Sequence, residues 1–149
     1  MGMPLDHERL LVYQRSLAFI RWSSVLNREV GPCGDVRSQL DRASTSVPLN
    51  LAEGNGKFSI RDRLKYLDIA YGSALECAAC LDVMVAKEAV TDARMADGKR
   101  LLEELVHMLV RLRAAIAARE STEPACDRIR ENHPAPFTFI NSIDEIPHA

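Results

Sequence analysis

Four groups of polar residues in this chain have the types and spacing that chemistry requires. Cys77 and Cys80 form a C-x-x-C pair, which in other proteins holds a redox disulfide or half of a zinc site. Glu104 and His107 form an E-x-x-H pair, the spacing with which di-iron helical bundles point two metal ligands inward. The other two groups, a polar ridge and a basic row, have the residue types for binding rather than for catalysis.

Neither pair is complete enough to predict a reaction. A redox C-x-x-C sits at the N-terminus of a helix, where the helix dipole lowers the thiol pKa, whereas this pair lies in mid-helix. A zinc site needs two more ligands, and Cys33 and Cys126 are isolated in the sequence. No second E-x-x-H lies on a predicted helix, and the spacing turns Glu104 and His107 away from the helix seam. We therefore predict no catalytic residues, no metal, no cofactor and no enzymatic activity.

The polar ridge lies on the second predicted helix and is joined by one carboxylate of the third. Its members recur at spacings of 3 and 4, so they share one side of the helix beside its apolar stripe. They are Gln39, Arg42, Ser46, Asn50 and Glu53, with Glu76 added from the third helix. Such a ridge either holds a ligand or fixes the register of a helix–helix or subunit contact, and we predict the second role. Within it we expect Arg42 to pair with Glu53 or Glu76.

The basic row consists of Lys57, Arg61 and Lys65, spaced by four residues, with Arg63 nearby. In one subunit it is an ordinary solvated helix face. Repeated around a ring of subunits, it would multiply its electric field and grip phosphate groups. Tyr66 is the one aromatic residue there that we single out for stacking on single-stranded bases. Nucleic-acid or nucleoprotein binding through this row is therefore the alternative function.

Composition favours one domain of packed helices. Of the 149 residues, 47% are apolar and only 5% are aromatic, and the formal net charge is -2. Ala and Leu fill the apolar share, which favours helices over a β-sandwich. The first ten residues contain no apolar signal-peptide region, so we expect a cytoplasmic protein with reduced thiols. No apolar run approaches the roughly 18 residues of a membrane span, so we expect no membrane partner.

Apolar spacing predicts four helices, at residues 7–28, 35–53, 60–88 and 92–118. Short connections predict that consecutive helices run antiparallel, as an all-α, up-down four-helix bundle over residues 1–118. Asp6, Ser59 and Thr91 are the predicted N-caps. Pro48 lies inside the second helix and predicts a kink there rather than a break, because the apolar spacing continues past it.

The third helix has two apolar stripes. The first consists of Ile60, Leu64, Leu67, Tyr71, Ala74, Ala78, Leu81 and Val85. The second consists of Tyr66, Ile69, Ser73, Cys77, Cys80 and Met84. Because one small bundle cannot cover two apolar faces of a helix, we predict that the second stripe contacts another subunit.

Residues 119–149 differ in kind from the bundle. They contain four of the seven prolines and six Asp and Glu against three Lys and Arg. Their apolar side chains, too many for a solvated linker, are Phe137, Phe139, Ile140, Ile143 and Ile146. We predict that this tail packs on the bundle or on a neighbouring subunit.

Two motifs at fixed spacing resemble a known family. The first is QL-RA--SVP-N-AEG, at residues 39–54, and the second is IA-GSA-E, at residues 69–76. They resemble the four-helix bundle proteins of the 23S rRNA intervening-sequence family, over roughly residues 8–118. The related accessory variability proteins of diversity-generating retroelements are similar as well.

The resemblance implies an antiparallel four-helix bundle that assembles into a ring-like homopentamer without catalytic residues. It also implies nucleic-acid or nucleoprotein binding for some members. The expected function is accordingly a non-enzymatic homo-oligomeric scaffold whose first partner is a copy of itself.

Overall fold

The computed structural model describes residues 5–122, with side chains described up to residue 119. A short 3-10 helix comes first, at Asp6–Arg9. The four α-helices that follow are α1 (Leu11–Glu29), α2 (Val36–Asn55), α3 (Ile60–Ala86) and α4 (Asp92–Thr122). These described residues contain no strand, and the predicted all-α class is confirmed. The predicted packing of the tail concerns residues outside the described range.

The four helices form the predicted up-down bundle. Connections of four to six residues make each helix run antiparallel to the one before it. Both α1 and α3 pack against α2 and α4, so α1 and α3 lie on a diagonal of the bundle. The contact between α2 and α3 is the most extensive of the four.

The core forms where apolar side chains of all four helices meet. Each helix contributes side chains that are less than 2% exposed, and full burial of one large apolar side chain stabilises a fold by about 1.5–3 kcal/mol. The largest of these side chains are Phe19, Leu26, Leu40, Leu81, Met84, Met95, Leu105 and Leu109.

Two of the three predicted N-caps are confirmed. The Ser59 hydroxyl accepts the Asp62 backbone N–H at 3.4 Å, and the Thr91 hydroxyl accepts the Arg94 backbone N–H at 3.3 Å. Asp6, however, opens only the 3-10 helix. The backbone is extended at Leu10 (φ -71°, ψ 120°), whose side chain packs against the core. α1 therefore begins at Leu11 rather than at the predicted residue 7.

The other helix ends depart from the sequence pattern by a few residues. α3 stops at Ala86 rather than at residue 88, because Glu88 takes a left-handed conformation (φ 56°). α4 continues to Thr122, past the predicted end at residue 118. α2 runs unbroken through Pro48, as expected, and the kink stays a prediction.

One close approach joins α1 to α4. A Cβ atom added at Gly98 of α4 would lie 2.1 Å from the Trp22 ring of α1, so only glycine leaves room for this indole. Phe19 stacks on the Trp22 ring at 5.7 Å, and the Arg94 guanidinium lies 5.6 Å from the ring centroid. The missing side chain therefore lets a large aromatic residue close this side of the bundle.

By length and composition alone, α3 could cross a membrane, with a mean hydropathy of 1.5 over its most apolar window. Helices in the core of water-soluble bundles share this property, and one side of α3 is buried against α2 and α4. Of the most apolar window of α3, 39% is buried inside the bundle, so burial accounts for part of its hydropathy.

Candidate interaction surfaces

The polar ridge runs along the contact between α2 and α3. The Ser73 hydroxyl of α3 donates a hydrogen bond to the Ser46 hydroxyl of α2 at 2.8 Å. The Asn50 side chain donates to the carbonyl and hydroxyl oxygens of Ser46, at 2.8 and 3.0 Å. Because these groups satisfy one another, the middle of the ridge fixes how α2 sits on α3.

The ridge ends in a cluster of Glu53, Lys57 and Tyr66. The Glu53 carboxylate accepts a hydrogen bond from the Tyr66 side chain and pairs with the Lys57 Nζ atom at 3.1 Å. The bond to Tyr66 lowers the pKa of Glu53 and raises the pKa of Tyr66. The Lys57 Nζ atom lies 4.9 Å from the Tyr66 ring centroid, so this ring already has a cationic partner.

Arg42 and Glu76 do not form the predicted ion pair. Both side chains are exposed, and among the described residues neither takes part in a salt bridge. Glu53, the other candidate partner for Arg42, pairs with Lys57 instead. Gln39 is exposed as well. Since α2 and α3 are antiparallel and Ser46 meets Ser73, Arg42 and Glu76 lie at nearly the same level of the bundle.

The second apolar stripe of α3 is mostly part of the protomer's own core. Cys77 and Met84 are fully buried, and Cys80 keeps 4% of its surface. Of the six residues in the stripe, only Ile69 is exposed, at 41%. The prediction that the stripe as a whole contacts another subunit is wrong, because α2 and α4 flank α3 and together cover a wide arc of it.

A different side of α3 is left outside. Its residues alternate spacings of 3 and 4, the heptad spacing of helices that pack against other helices. We call this side the outer face of α3; it consists of Ile69, Gly72, Glu76, Ala79, Val83 and Ala86, all exposed. Sequence reasoning missed it because three of its six positions are Gly or Ala, which add little hydrophobicity.

The basic row loses one of its predicted members. Arg61 and Lys65 are exposed and take part in no salt bridge within the described residues. Arg63, in contrast, keeps 7% of its surface, and its Nε atom donates to the Lys57 carbonyl at 2.6 Å. Its burial against the connection between α2 and α3 removes it from the candidate phosphate contacts.

Phe58 is an exposed aromatic residue that sequence reasoning missed. It lies in the connection between α2 and α3, next to Lys57, and 84% of its surface is exposed. An exposed ring beside cations is the combination that proteins use to stack single-stranded bases. Its position between two helices, outside every apolar stripe, was the available signal.

The C-x-x-C pair is buried in the bundle, whereas the E-x-x-H pair lies at its surface. Burial raises the pKa of the Cys77 thiol to about 12 and also raises that of Cys80, so neither is a reactive thiolate at neutral pH. Glu104 pairs with Arg15 at 3.2 Å, and His107 is exposed, as the helix spacing predicts. Within the described residues, no three His, Cys, Asp or Glu side chains come together as a metal site.

Comparison with known proteins identifies a family and a similar fold for this chain. The family model described as 23S rRNA-intervening sequence protein matches residues 8–111, which confirms the resemblance seen in the two motifs. The chain is also similar to a crystal structure of a protein of unknown function from the S23 ribosomal protein family of Bacteroides thetaiotaomicron. That similarity has 21% identity and a TM-score of 0.61, covers 68% of this chain and 97% of that chain, and shows the fold alone. No curated protein matches the chain.

Proposed function

Because this chain belongs to the 23S rRNA-intervening sequence protein family, we propose that it is a non-enzymatic scaffold that assembles with copies of itself in the cytoplasm. The assembly we propose is the pentamer that the resemblance implies. Its subunits pack through the outer face of α3, and the heptad spacing of this exposed face carries the proposal. Three buried free thiols, Cys33, Cys77 and Cys80, suit a reducing compartment.

The outer face of α3 suits close contact with another helix. Gly72, Ala79 and Ala86 repeat every seven residues, and such short side chains let two helix backbones approach closely. A Cβ atom added at Gly72 would meet nothing within 4 Å, so the protomer leaves this space open. Ile69 and Val83, exposed at 41% and 39%, would gain about 25 cal/mol per Å² of surface buried there.

Arg42 and Glu76 supply opposite charges close to this face. Each is exposed without a salt bridge in the described part of the chain, and the two lie at nearly the same level. An ion pair between Arg42 of one subunit and Glu76 of the next would set the register of the contact. The polar ridge then has two roles, one inside the protomer at Ser46 and one between protomers.

The mass in solution tests the assembly. We expect light scattering at micromolar concentration to give five times the 16.6 kDa protomer mass. Val83→Glu should lower this mass, because it buries a carboxylate in an apolar contact. Val110→Glu, at a valine of α4 that is 49% exposed, is the matched control and should leave the mass unchanged. A monomeric wild-type protein would contradict the proposal.

A charge exchange tests the intersubunit ion pair separately. Arg42→Glu and Glu76→Arg should each weaken association, because each places like charges together across the contact. The double variant restores opposite charges in exchanged positions and should recover the wild-type mass. If neither single variant lowered the mass, or if the double variant lowered it as much as the two single changes combined, this ion pair would not be part of the interface.

Nucleic-acid or nucleoprotein binding is the second candidate function, and the exposure of Phe58 favours it. Arg61 and Lys65, two exposed cations without salt bridges in the described residues, follow the exposed Phe58 by three and seven residues, so one segment of the chain carries both a ring for stacking and cations for phosphate contacts. Five copies around a ring would add avidity to a weak single contact.

Salt-dependent binding of a single-stranded oligonucleotide tests this second function. We expect binding at low ionic strength that weakens as salt rises, and Phe58→Ala should reduce it without changing the salt dependence. Arg61→Ala should instead lower the slope of log affinity against log salt by about 1. Leu49→Ala, at another side chain with large exposure (63%), is the control. No binding at low salt would exclude the function.

A further inference from the structure

Charge is unequal between the two ends of the bundle. One end is built by residues 5–20, 46–72 and 107–119, which carry nine Lys and Arg against five Asp and Glu. We call it the basic end. The opposite end, residues 21–45 and 73–106, carries eight Lys and Arg against ten Asp and Glu. The near-neutral charge of the whole chain therefore hides a positively charged end.

The C-terminal tail starts at this basic end. Two ion pairs fix the register of α3 against α4: Asp68 with Arg113 at 2.5 Å, and Asp82 with Lys99 at 2.8 Å. Counting outward from either pair along antiparallel helices brings Thr122, the last residue of α4, level with the first turn of α3. The chain therefore continues from α4 at the end of the bundle that carries Arg61 and Lys65.

The start of α3 offers a surface that is both apolar and positively charged. A shallow hollow is lined by Leu64 and Ile69, with Arg61 and Lys65 at its rim. The one carboxylate in its lining, Asp68, is already paired with Arg113. The cations of the rim thus have no carboxylate in salt-bridge contact within the described residues.

The tail has the complementary composition. Residues 123–149 carry five Asp and Glu against two Lys and Arg, the opposite sign to the basic end. Within them, Asp144 and Glu145 stand between Ile143 and Ile146, so two carboxylates come together with two branched apolar side chains. Phe137, Phe139 and Ile140 precede this group.

We propose that residues 137–146 dock on the start of α3 of their own subunit. Asp144 and Glu145 bind Arg61 and Lys65, and the neighbouring apolar side chains cover Leu64. The tether favours this site, because a short linker gives a millimolar effective concentration at the end where it emerges. Docking covers the cations that nucleic-acid binding requires and reaches the oligomer face only at its first residue, Ile69.

The length of the tail does not restrict it to the basic end, so a preference for that end would be evidence of docking. Twenty-one residues lie between Thr122 and Asp144, and an extended chain covers up to about 3.3–3.6 Å per residue. The 27 residues of α3 rise about 1.5 Å each. The tail is therefore long enough to reach the opposite end of the bundle.

The four lysines give a test with built-in controls. Lys57 and Lys65 lie at the basic end, and Lys87 and Lys99 lie at the opposite end. We would treat the full-length protein with a zero-length carbodiimide cross-linker and map the lysines joined to Asp144 or Glu145 by mass spectrometry. The expected result is roughly tenfold more cross-linking to Lys65 than to Lys87 or Lys99, as tethered docking predicts. This preference should shrink in high salt.

Two further experiments test whether the carboxylates bind Lys65 and whether the contact lies within one subunit. The variant with Asp144→Asn and Glu145→Gln should make the Lys65 amine react faster with an acylating reagent and leave Lys87 unchanged. Mixed heavy- and light-isotope protein separates cross-links within one subunit from those between subunits. Equal cross-linking to all four lysines, unchanged Lys65 reactivity, or predominantly heavy–light products would each overturn the proposal.

Discussion

The inner and outer sides of α3 are both apolar and both helical in period, yet they end in different environments. On the inner side, Cys77 and Met84 have no exposed surface. On the outer side, Ile69 and Val83 keep 41% and 39% of theirs. Helical spacing reveals that such a helix has more than one apolar side, but it does not say which side the neighbouring helices cover.

The difference shows that the core lies between the two stripes read from the sequence. The buried arc takes Leu67, Ala74 and Leu81 from the first stripe, and Ser73, Cys77, Cys80 and Met84 from the second. A helix with neighbours on two sides buries a wide arc, so a single stripe is too narrow a description of its inner side. What remains exposed includes the outer face, which is rich in small residues.

The largest expected effect comes from placing an arginine first on the inner side and then on the outer side of α3. Cys77→Arg should destabilise the fold by about 4 kcal/mol or more, because it buries an unpaired charge and a larger side chain. In a monomeric background such as Val83→Glu, Ala79→Arg, on the exposed outer face of the same helix, should leave the free energy of unfolding nearly unchanged. Urea unfolding followed by circular dichroism measures both. Similar losses at the two positions would show that both sides are buried.

Alkaline pH offers a second contrast, since burial raises the pKa of the Cys77 thiol to about 12. An unfolded thiol titrates near about 8.5. Between these values the unfolded chain releases this proton while the folded chain keeps it, so stability falls as pH rises, by about 1.4 kcal/mol per unit. Below that window both states are protonated and this thiol gives no pH dependence. Cys77→Ala should therefore show a flatter decline than wild type from pH 9 to 11; parallel curves would contradict the burial.

A larger uncharged side chain on each side of α3 tests the same difference in burial. Ala74 is fully buried, and Ala74→Leu should destabilise the bundle by about 1–3 kcal/mol, because three extra carbons have no space there. Ala79→Leu, on the outer face, is the control and should cost little in the protomer. Thermal unfolding of both variants in a monomeric background such as Val83→Glu would show the difference. Equal melting temperatures would mean that the inner side has free volume.

The smallest expected effect is a gain. In a monomeric background such as Val83→Glu, Gly72→Ala should stabilise the protomer by about 0.4–1 kcal/mol, because alanine favours a helix and the new methyl meets no atom within 4 Å. In the wild-type background the same methyl should weaken self-association, if α3 helices approach closely there. A gain in both backgrounds would remove Gly72 from the interface.

Much of the fold could be predicted, because it depends on local signals. Ser59 and Thr91 were recognisable as N-caps by residue type and position. The break at Leu10 was not recognisable, because a leucine inside a periodic pattern gives no stop signal, and only its contact with the core reveals its role. The end of α3 was two residues off because a left-handed glutamate, Glu88, is uncommon.

The candidate surfaces were harder to predict, because residue type alone does not give burial. Arg63 has the same chemistry as Arg61, yet it turns into the protomer to bind backbone carbonyl groups. Phe58 belongs to no helical period, so spacing gave it no weight, and its 84% exposure is visible only in three dimensions. Arg42 was assigned to the polar ridge with Glu53 or Glu76 as its expected partner, but Glu53 pairs with Lys57.

The fit of Trp22 onto Gly98 gives the molecule its own optical probe. Trp22 is the only tryptophan in the chain, and its ring contacts α4 at the place where a methyl group would not fit. Its fluorescence emission should shift to longer wavelength whenever α1 separates from α4 and water reaches the indole. Total helix content reports all four helices at once. Recording both signals during unfolding would reveal whether this half of the bundle opens before the other.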